Sequence, residues 1–292
     1  MTGRNSSVRS RKSEVISLID FCCTTRHKDM TPIVKDTNIQ DYAETLLRDY
    51  KPKLLKEPGK VNPTHFVESY LGAVVDYQDI YYPENTPAIA GATVFNDDRI
   101  LVFDREAQRI KTIDVSANTV LIDNSTMDDG KEGFAAFTIL HEGGHLCLHP
   151  AVYRRMDGQL SFLNEHKDGD YVICCRRSSL ENGCNKRQKF ITQEEFREHQ
   201  ANVFAASIAM PRPTFVPAAQ ELIRNAGCKD GVLVMPSEMD WDYTLGISAI
   251  EETLSSLFGV SKSAANIQMR RLGLLMTEEQ YIEQFKQMAV AF

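Results

Sequence analysis

Cysteine, tryptophan, long apolar runs and any excess of positive charge are all scarce in this chain. Seven cysteines among 292 residues are too few and too scattered for the disulfide framework of a small secreted domain. No apolar run reaches the roughly 20 residues that a membrane-spanning helix needs. Net charge is -7, from 33 basic and 40 acidic residues. That balance argues against a general nucleic-acid coat, although it leaves room for a local basic patch. The start is basic, with Arg4, Arg9, Arg11 and Lys12, and a partly apolar stretch from Val15 to Cys23 follows. Ser17 and Asp20 interrupt that stretch and no small-residue cleavage site comes after it, so it does not read as a signal peptide. The expectation is a cytoplasmic protein with reduced thiols and no membrane segment.

What is present is ordinary globular material: 42% hydrophobic and 25% charged residues, enough chain for one large domain or two modest ones. Within it one stretch stands out, Phe137-Thr138-Ile139-Leu140-His141-Glu142-Gly143-Gly144-His145. Histidines four apart share one helix face, so both rings can reach a single metal ion. Imidazole nitrogen is a preferred zinc ligand. A carboxylate directly after the first histidine can serve as general base on a water held by the metal. The surrounding residues Phe134, Ala135, Ala136, Phe137, Ile139 and Leu140 are apolar nearly all round, which is the pattern of a buried helix. Burying His141, Glu142 and His145 without partners would be costly, and a metal removes that cost.

The chain around this helix changes period. Residues 1–30 read as a mobile tail, with a short helix possible over Ser13 to Cys23. Asp36 to Lys51 has helical spacing, with Ile39, Tyr42, Ala43, Leu46 and Leu47 on one stripe. A helix is expected from Pro63 to Leu71. Ala73 to Tyr77, Gly91 to Phe95, Arg99 to Phe103 and Asn118 to Ile122 read as strands, the middle two joined as a hairpin by Asn96-Asp97-Asp98. Together they predict a small antiparallel sheet. Asp128 or Asp129 is a candidate cap for the helix over Lys131 to Cys147.

Residues 151–191 form a long insertion holding Cys174, Cys175 and Cys184, with His166 nearby. These groups either bind a second metal, sense oxidation or are simply thiols, and their spacing matches no standard zinc pattern. Thr192 to Met210 is the next helix, opened by Thr192 and Glu195 in a capping-box pattern and stopped by Pro211 and Pro213. Glu198 on it reads two ways. It is an acid in the first turn, favourable to the helix dipole, or a third metal ligand brought close by a seam of small residues with Gly143 and Gly144. Asn202, one turn on, can orient Glu198 or make a plain interhelical bond. Residues 216–292 are expected to be helical, with Ile247 to Phe258, Gly259-Val260 and Ser261 to Leu272 as a helix-turn-helix pair. Lys262, Arg270 and Arg271 are its only basic residues, few for a duplex-binding face.

Three stretches in series resemble the ImmA/IrrE family of metallopeptidases. They are FTILHEGGHLCLH (Phe137 to His149), EHQANVFAASIAMP (Glu198 to Pro211) and LFGVSKSAANIQMRRLGLL (Leu257 to Leu275). The resemblance implies an α+β, zincin-like metallopeptidase domain over 31–215, with a small antiparallel sheet beside a central HExxH helix and a helix-turn-helix-like segment after it. It implies Zn2+ held by His141, His145 and Glu198, with Glu142 as the catalytic base. It also implies a cytoplasmic regulator of a mobile element or stress response that cleaves a partner helix-turn-helix repressor. The rival readings are a metal-dependent sensor that binds without cutting, and a DNA-binding regulator. The pattern with a third histidine after a glycine is excluded, because Leu148 and Ala151 stand at those places. His149, Tyr153, Tyr171 and His199 are candidates to stabilise the oxyanion.

Overall fold

A computed structural model describes residues 21–86, 88–128, 130–153, 172–176, 192–235 and 241–290. The architecture is mixed α+β with small sheets, and no barrel closes among the described residues. The helices are α1 (Asp36–Tyr50), α2 (Glu132–Leu148), α3 (Gln193–Ala209), α4 (Arg212–Asn225), α5 (Trp241–Phe258), α6 (Lys262–Arg271) and α7 (Glu278–Val290). The strands are β1 (Val74–Gln78), β2 (Ile89–Val94), β3 (Asp98–Asp104), β4 (Arg109–Val115), β5 (Thr119–Asp123), β6 (Val172–Arg176), β7 (Leu233–Met235) and β8 (Leu275–Thr277). Between α1 and β1 the chain makes an α-turn over Pro63–His65 that runs into a π-helix over Phe66–Tyr70.

The principal sheet has four strands in the order β1-β5-β2-β6. It is mixed rather than antiparallel: β1 runs parallel to β5, while β2 is antiparallel to both β5 and β6. The expected hairpin between Gly91–Phe95 and Arg99–Phe103 does not form. Gly91, Ala92, Thr93 and Val94 are all buried, with no alternation. A strand covered on both faces belongs in the middle of a sheet and needs a neighbour on each edge. β3 leaves this sheet and pairs instead with β4, which carries Arg109, Lys111 and Asp114 and is mostly exposed. The turn at Asn96-Asp97-Asp98 therefore joins two different sheets.

Helix ends follow local chemistry. At α3, Thr192 Oγ1 accepts from the Glu195 N–H at 3.2 Å and Glu195 Oε2 accepts from the Thr192 N–H at 3.0 Å, the reciprocal cap read from the sequence. At α2 Asp128 does not cap the helix: Lys131 occupies the N-cap without a side-chain bond, and Asp128 pairs with the Lys131 ammonium at 2.6 Å; the other candidate, Asp129, lies outside the described residues. Asp123 instead caps the short 3-10 turn before it.

α2 is buried from Thr138 to Leu148, with the sheet on one side and α3 on the other. Gly144 makes the second contact possible, since a Cβ there would lie 3.1 Å from the Phe204 ring and 3.3 Å from the Ala201 backbone. Gly143 faces elsewhere, toward Val67 of the π-helical turn and Leu71 just after it. One apolar cluster takes in Ile39 and Leu46 of α1, Leu140 of α2, Phe204 of α3, Phe215 of α4, Leu254 of α5 and Met269 of α6. At the far end Gly133 abuts the α5–α6 turn, where a Cβ would stand 2.7 Å from the Ser261 nitrogen. No helix among the described residues is long and apolar enough to cross a membrane.

Candidate metal centre

The helical register of α2 puts His141 and His145 one turn apart on the face toward α3, and Glu198 enters from the first turns of α3. His141 Nε2 and His145 Nε2 stand 3.0 Å apart. Glu198 Oε2 is 3.4 Å from the first and Glu198 Oε1 is 3.3 Å from the second. Among the described residues this is the one grouping of His, Cys, Asp and Glu side chains able to hold a metal ion, with its donor atoms within 4.8 Å of one another. The two rings are wholly buried, whereas 15% of the Glu198 side chain is accessible, so the cluster meets solvent on the Glu198 side. Cys174 and Cys175 lie on β6, paired with Ala92 and Gly91; Cys184 and His166 lie outside the described residues.

Behind the donors the rings are held by hydrogen bonds. Asn202 Oδ1 sits 2.9 Å from His141 Nδ1, so Asn202 supports the first histidine rather than Glu198. His145 Nδ1 is 3.0 Å from His149 Nδ1, and His149 Nε2 is 2.9 Å from Gln200 Oε1. His149 therefore lies on the side of His145 away from the donor cluster and is not placed to meet an oxyanion. His199 is also turned away, with its Nε2 2.8 Å from Asp36 Oδ1. Tyr153 stays near the site: it stacks on Phe95, and the Arg197 guanidinium lies 5.3 Å from its ring centre. Burial raises its hydroxyl pKa to about 12, Glu198 adding to the rise and Arg197 opposing it. Tyr171 lies outside the described residues.

Glu142 is buried beside His141. Its Oε2 accepts from Thr93 Oγ1 at 2.5 Å, and the same hydroxyl lies 3.2 Å from the Glu142 carbonyl oxygen. Oε1 has no hydrogen-bond partner. Glycine on the strand opposite leaves room for this oxygen, since a Cβ on Gly91 would come within 2.9 Å of Oε1 and of the Thr138 methyl, and one of them would have to shift. Thr93 and Gly91 carry no local signal of this role in the sequence; only the pairing of β2 into the sheet brings them over α2.

The donor set suits a divalent cation. With its Nδ1–H directed at Asn202, neutral His141 presents only a lone pair from Nε2, facing His145 Nε2 at hydrogen-bond distance. Glu198 Oε2 has no hydrogen-bond partner, although it is buried. Lone pairs and a carboxylate gathered this closely require a positive charge among them. The proton affinities express the same demand. Burial pushes the Glu198 carboxyl up, and the two imidazoles more than reverse it, to well below the usual carboxylate range. Burial opposes a charged His141 ring and Glu198 outweighs it, so that pKa rises, while at His145 burial prevails and the pKa falls. Burial lifts Glu142 to about 8 in the ion-free protein, against the pull of His141 and Thr93.

No protein-family model matches the chain, and comparison with curated proteins finds no match either.

Proposed function

We propose that the chain is a zinc-dependent endopeptidase of the ImmA/IrrE type with a zincin-like fold. The observation that carries this reading is the convergence of His141, His145 and Glu198 with Glu142 beside them, its Oε1 left without a protein partner. Two imidazoles and one carboxylate are the ligand set of a catalytic zinc rather than a closed structural one. Zinc bound there would supply a Lewis acid that polarises the scissile carbonyl and acidifies a water. Glu142 Oε1 takes up the proton from the attacking water, while Thr93 holds Oε2 so that the carboxylate does not turn away. The same carboxyl then gives its proton to the leaving amine.

The substrate we infer is a helix-turn-helix repressor, in a cytoplasmic regulatory setting; this rests on the resemblance of the three motifs. The α5–α6 pair serves in this reading as a packing module rather than a DNA reader. Lys262 pairs with Glu252, Arg270 donates to Asn266 and Met235, and Arg271 donates to Gln268. Gln268 Nε2 in turn donates to the Met210 carbonyl at the end of α3.

The test is to incubate the wild type and Glu142→Gln, each loaded with zinc, with repressors encoded beside the gene. Cleavage by the wild type alone is expected. Equal cleavage by both rules out the mechanism, and a wild type that binds a repressor without cutting it points to a sensor. Purified protein that holds no zinc, or His141→Ala protein that holds as much as the wild type, removes the metal assignment.

A further inference from the structure

The side of His145 that faces away from the donor cluster holds an ordered chain of hydrogen bonds that ends in backbone. Gln200 Nε2 donates to the Pro32 carbonyl at 2.7 Å, which turns Gln200 Oε1 toward His149. An amide oxygen only accepts, so His149 must carry its proton on Nε2. Its Nδ1 is then an acceptor, 3.0 Å from His145 Nδ1, and His145 must donate from that nitrogen. What remains on His145 Nε2 is the lone pair, directed at the donor cluster. His149 is wholly buried and Gln200 nearly so, and no water is needed to complete the chain.

We propose that His149 and Gln200 are positioning residues which, anchored on the Pro32 carbonyl, hold the imidazole proton of His145 on Nδ1 and keep Nε2 open for the metal ion. Asn202 does the same for His141 with a single bond. Groups that fix the ring and proton of a metal-bound histidine typically change metal affinity by about 10–100-fold. The proposal rests on the metal reading of the site, but the placement of the proton is a property of the ion-free protein and is read separately.

The experiment has two arms, both on the full chain. Long-range 1H–15N spectra of the ion-free protein report which nitrogen of each ring is protonated. Zinc affinity is measured by chelator competition for the wild type, His149→Leu, His149→Asn and Gln200→Leu. The expected result is His145 protonated on Nδ1 in the wild type, with a growing population protonated on Nε2 in His149→Leu and Gln200→Leu. Zinc affinity should fall by about 10–100-fold in His149→Leu. His149→Asn, whose amide oxygen replaces the lost acceptor, should recover most of it. Gln200→Leu carries the test if His149→Leu fails to fold. The proposal is overturned if wild-type His145 carries its proton on Nε2, or if His149→Asn binds zinc as poorly as His149→Leu. It is also overturned if Gln200→Leu leaves both proton placement and affinity unchanged. A wild type that binds no zinc while His145 remains protonated on Nδ1 removes the metal reading and leaves the relay standing.

Discussion

His141 and His145 are each gripped on Nδ1, by Asn202 and by the chain through His149 to Pro32, whereas Glu142, next to His141, is held through one oxygen by Thr93. The difference fits what each group would do. A ligand performs best when its ring and proton cannot move, because any freedom lost on binding the ion weakens that binding. A base that receives and returns a proton needs one oxygen anchored and the other open. The two parts are also braced from different elements: Asn202 and Gln200 stand on α3 behind the histidines, and Thr93 stands on β2 behind Glu142.

That separation is open to experiment. The largest expected effect is Glu142→Gln, which should keep zinc content unchanged and lower cleavage by about 10²–10⁴-fold, the usual worth of a general base. Loss of zinc along with activity would mean that base and ligands are not separately held. Next comes Thr93→Val, which keeps the shape and removes the hydroxyl. Leaving a buried carboxylate oxygen unpaired should cost about 1.5–3 kcal/mol in thermal or urea unfolding, with zinc affinity nearly unchanged. Gly91→Ala forces a methyl to within 2.9 Å of Glu142 Oε1. It should cost about 1–3 kcal/mol as an overpacked site and lower cleavage more than zinc affinity. Equal stability to the wild type would show that β2 does not press on the base.

The smallest effect concerns the segment before α1, which ties down the start of α3. Arg197 bonds Asp29 and Thr31 there, both at 2.8 Å. Burial raises the Asp29 pKa, but the Thr31 N–H and hydroxyl and then Arg197 more than offset it, leaving it below the ordinary carboxylate value. A carboxyl depressed in the folded state contributes stability that is full above its unfolded pKa, about 3.9, and is lost as pH falls toward the folded value. Asp29→Asn should therefore cost less than about 1 kcal/mol at pH 7 and nothing at the acid end of a stability–pH profile. A difference that persists undiminished below pH 3 would contradict that account.

Much of the candidate site is legible in the order and spacing of residues alone. His141, Glu142 and His145 announce themselves by spacing, whereas the helix around Glu198 leaves it open between a first-turn acid and a ligand, and only the resemblance of the motifs singles it out. The groups that hold them are not legible this way. Thr93, Gly91 and Gln200 are ordinary residues until the sheet and α3 close over α2, and their roles depend on contacts tens of residues away in the chain. The same long-range pairing makes the sheet hard to read. Asn96-Asp97-Asp98 is good local turn chemistry, yet the uniform burial of β2 demands neighbours on both edges, and those come from β5 and β6. β4 gives little signal because Arg109, Lys111 and Asp114 break up the β-branched residues Ile110, Thr112 and Ile113.

The bond from Gln200 to the Pro32 carbonyl spans 168 residues of chain. Contacts of such sequence separation form late, since the loop they close costs entropy before it gains anything. Pro32 leaves the ribosome long before Gln200 exists, so the nascent chain can carry the HExxH helix for some time without a finished ligand set. On this topology the candidate metal centre would mature in two stages: the histidines arrive with α2, and the bonds that fix the proton of His145 close only when the two ends of that span meet.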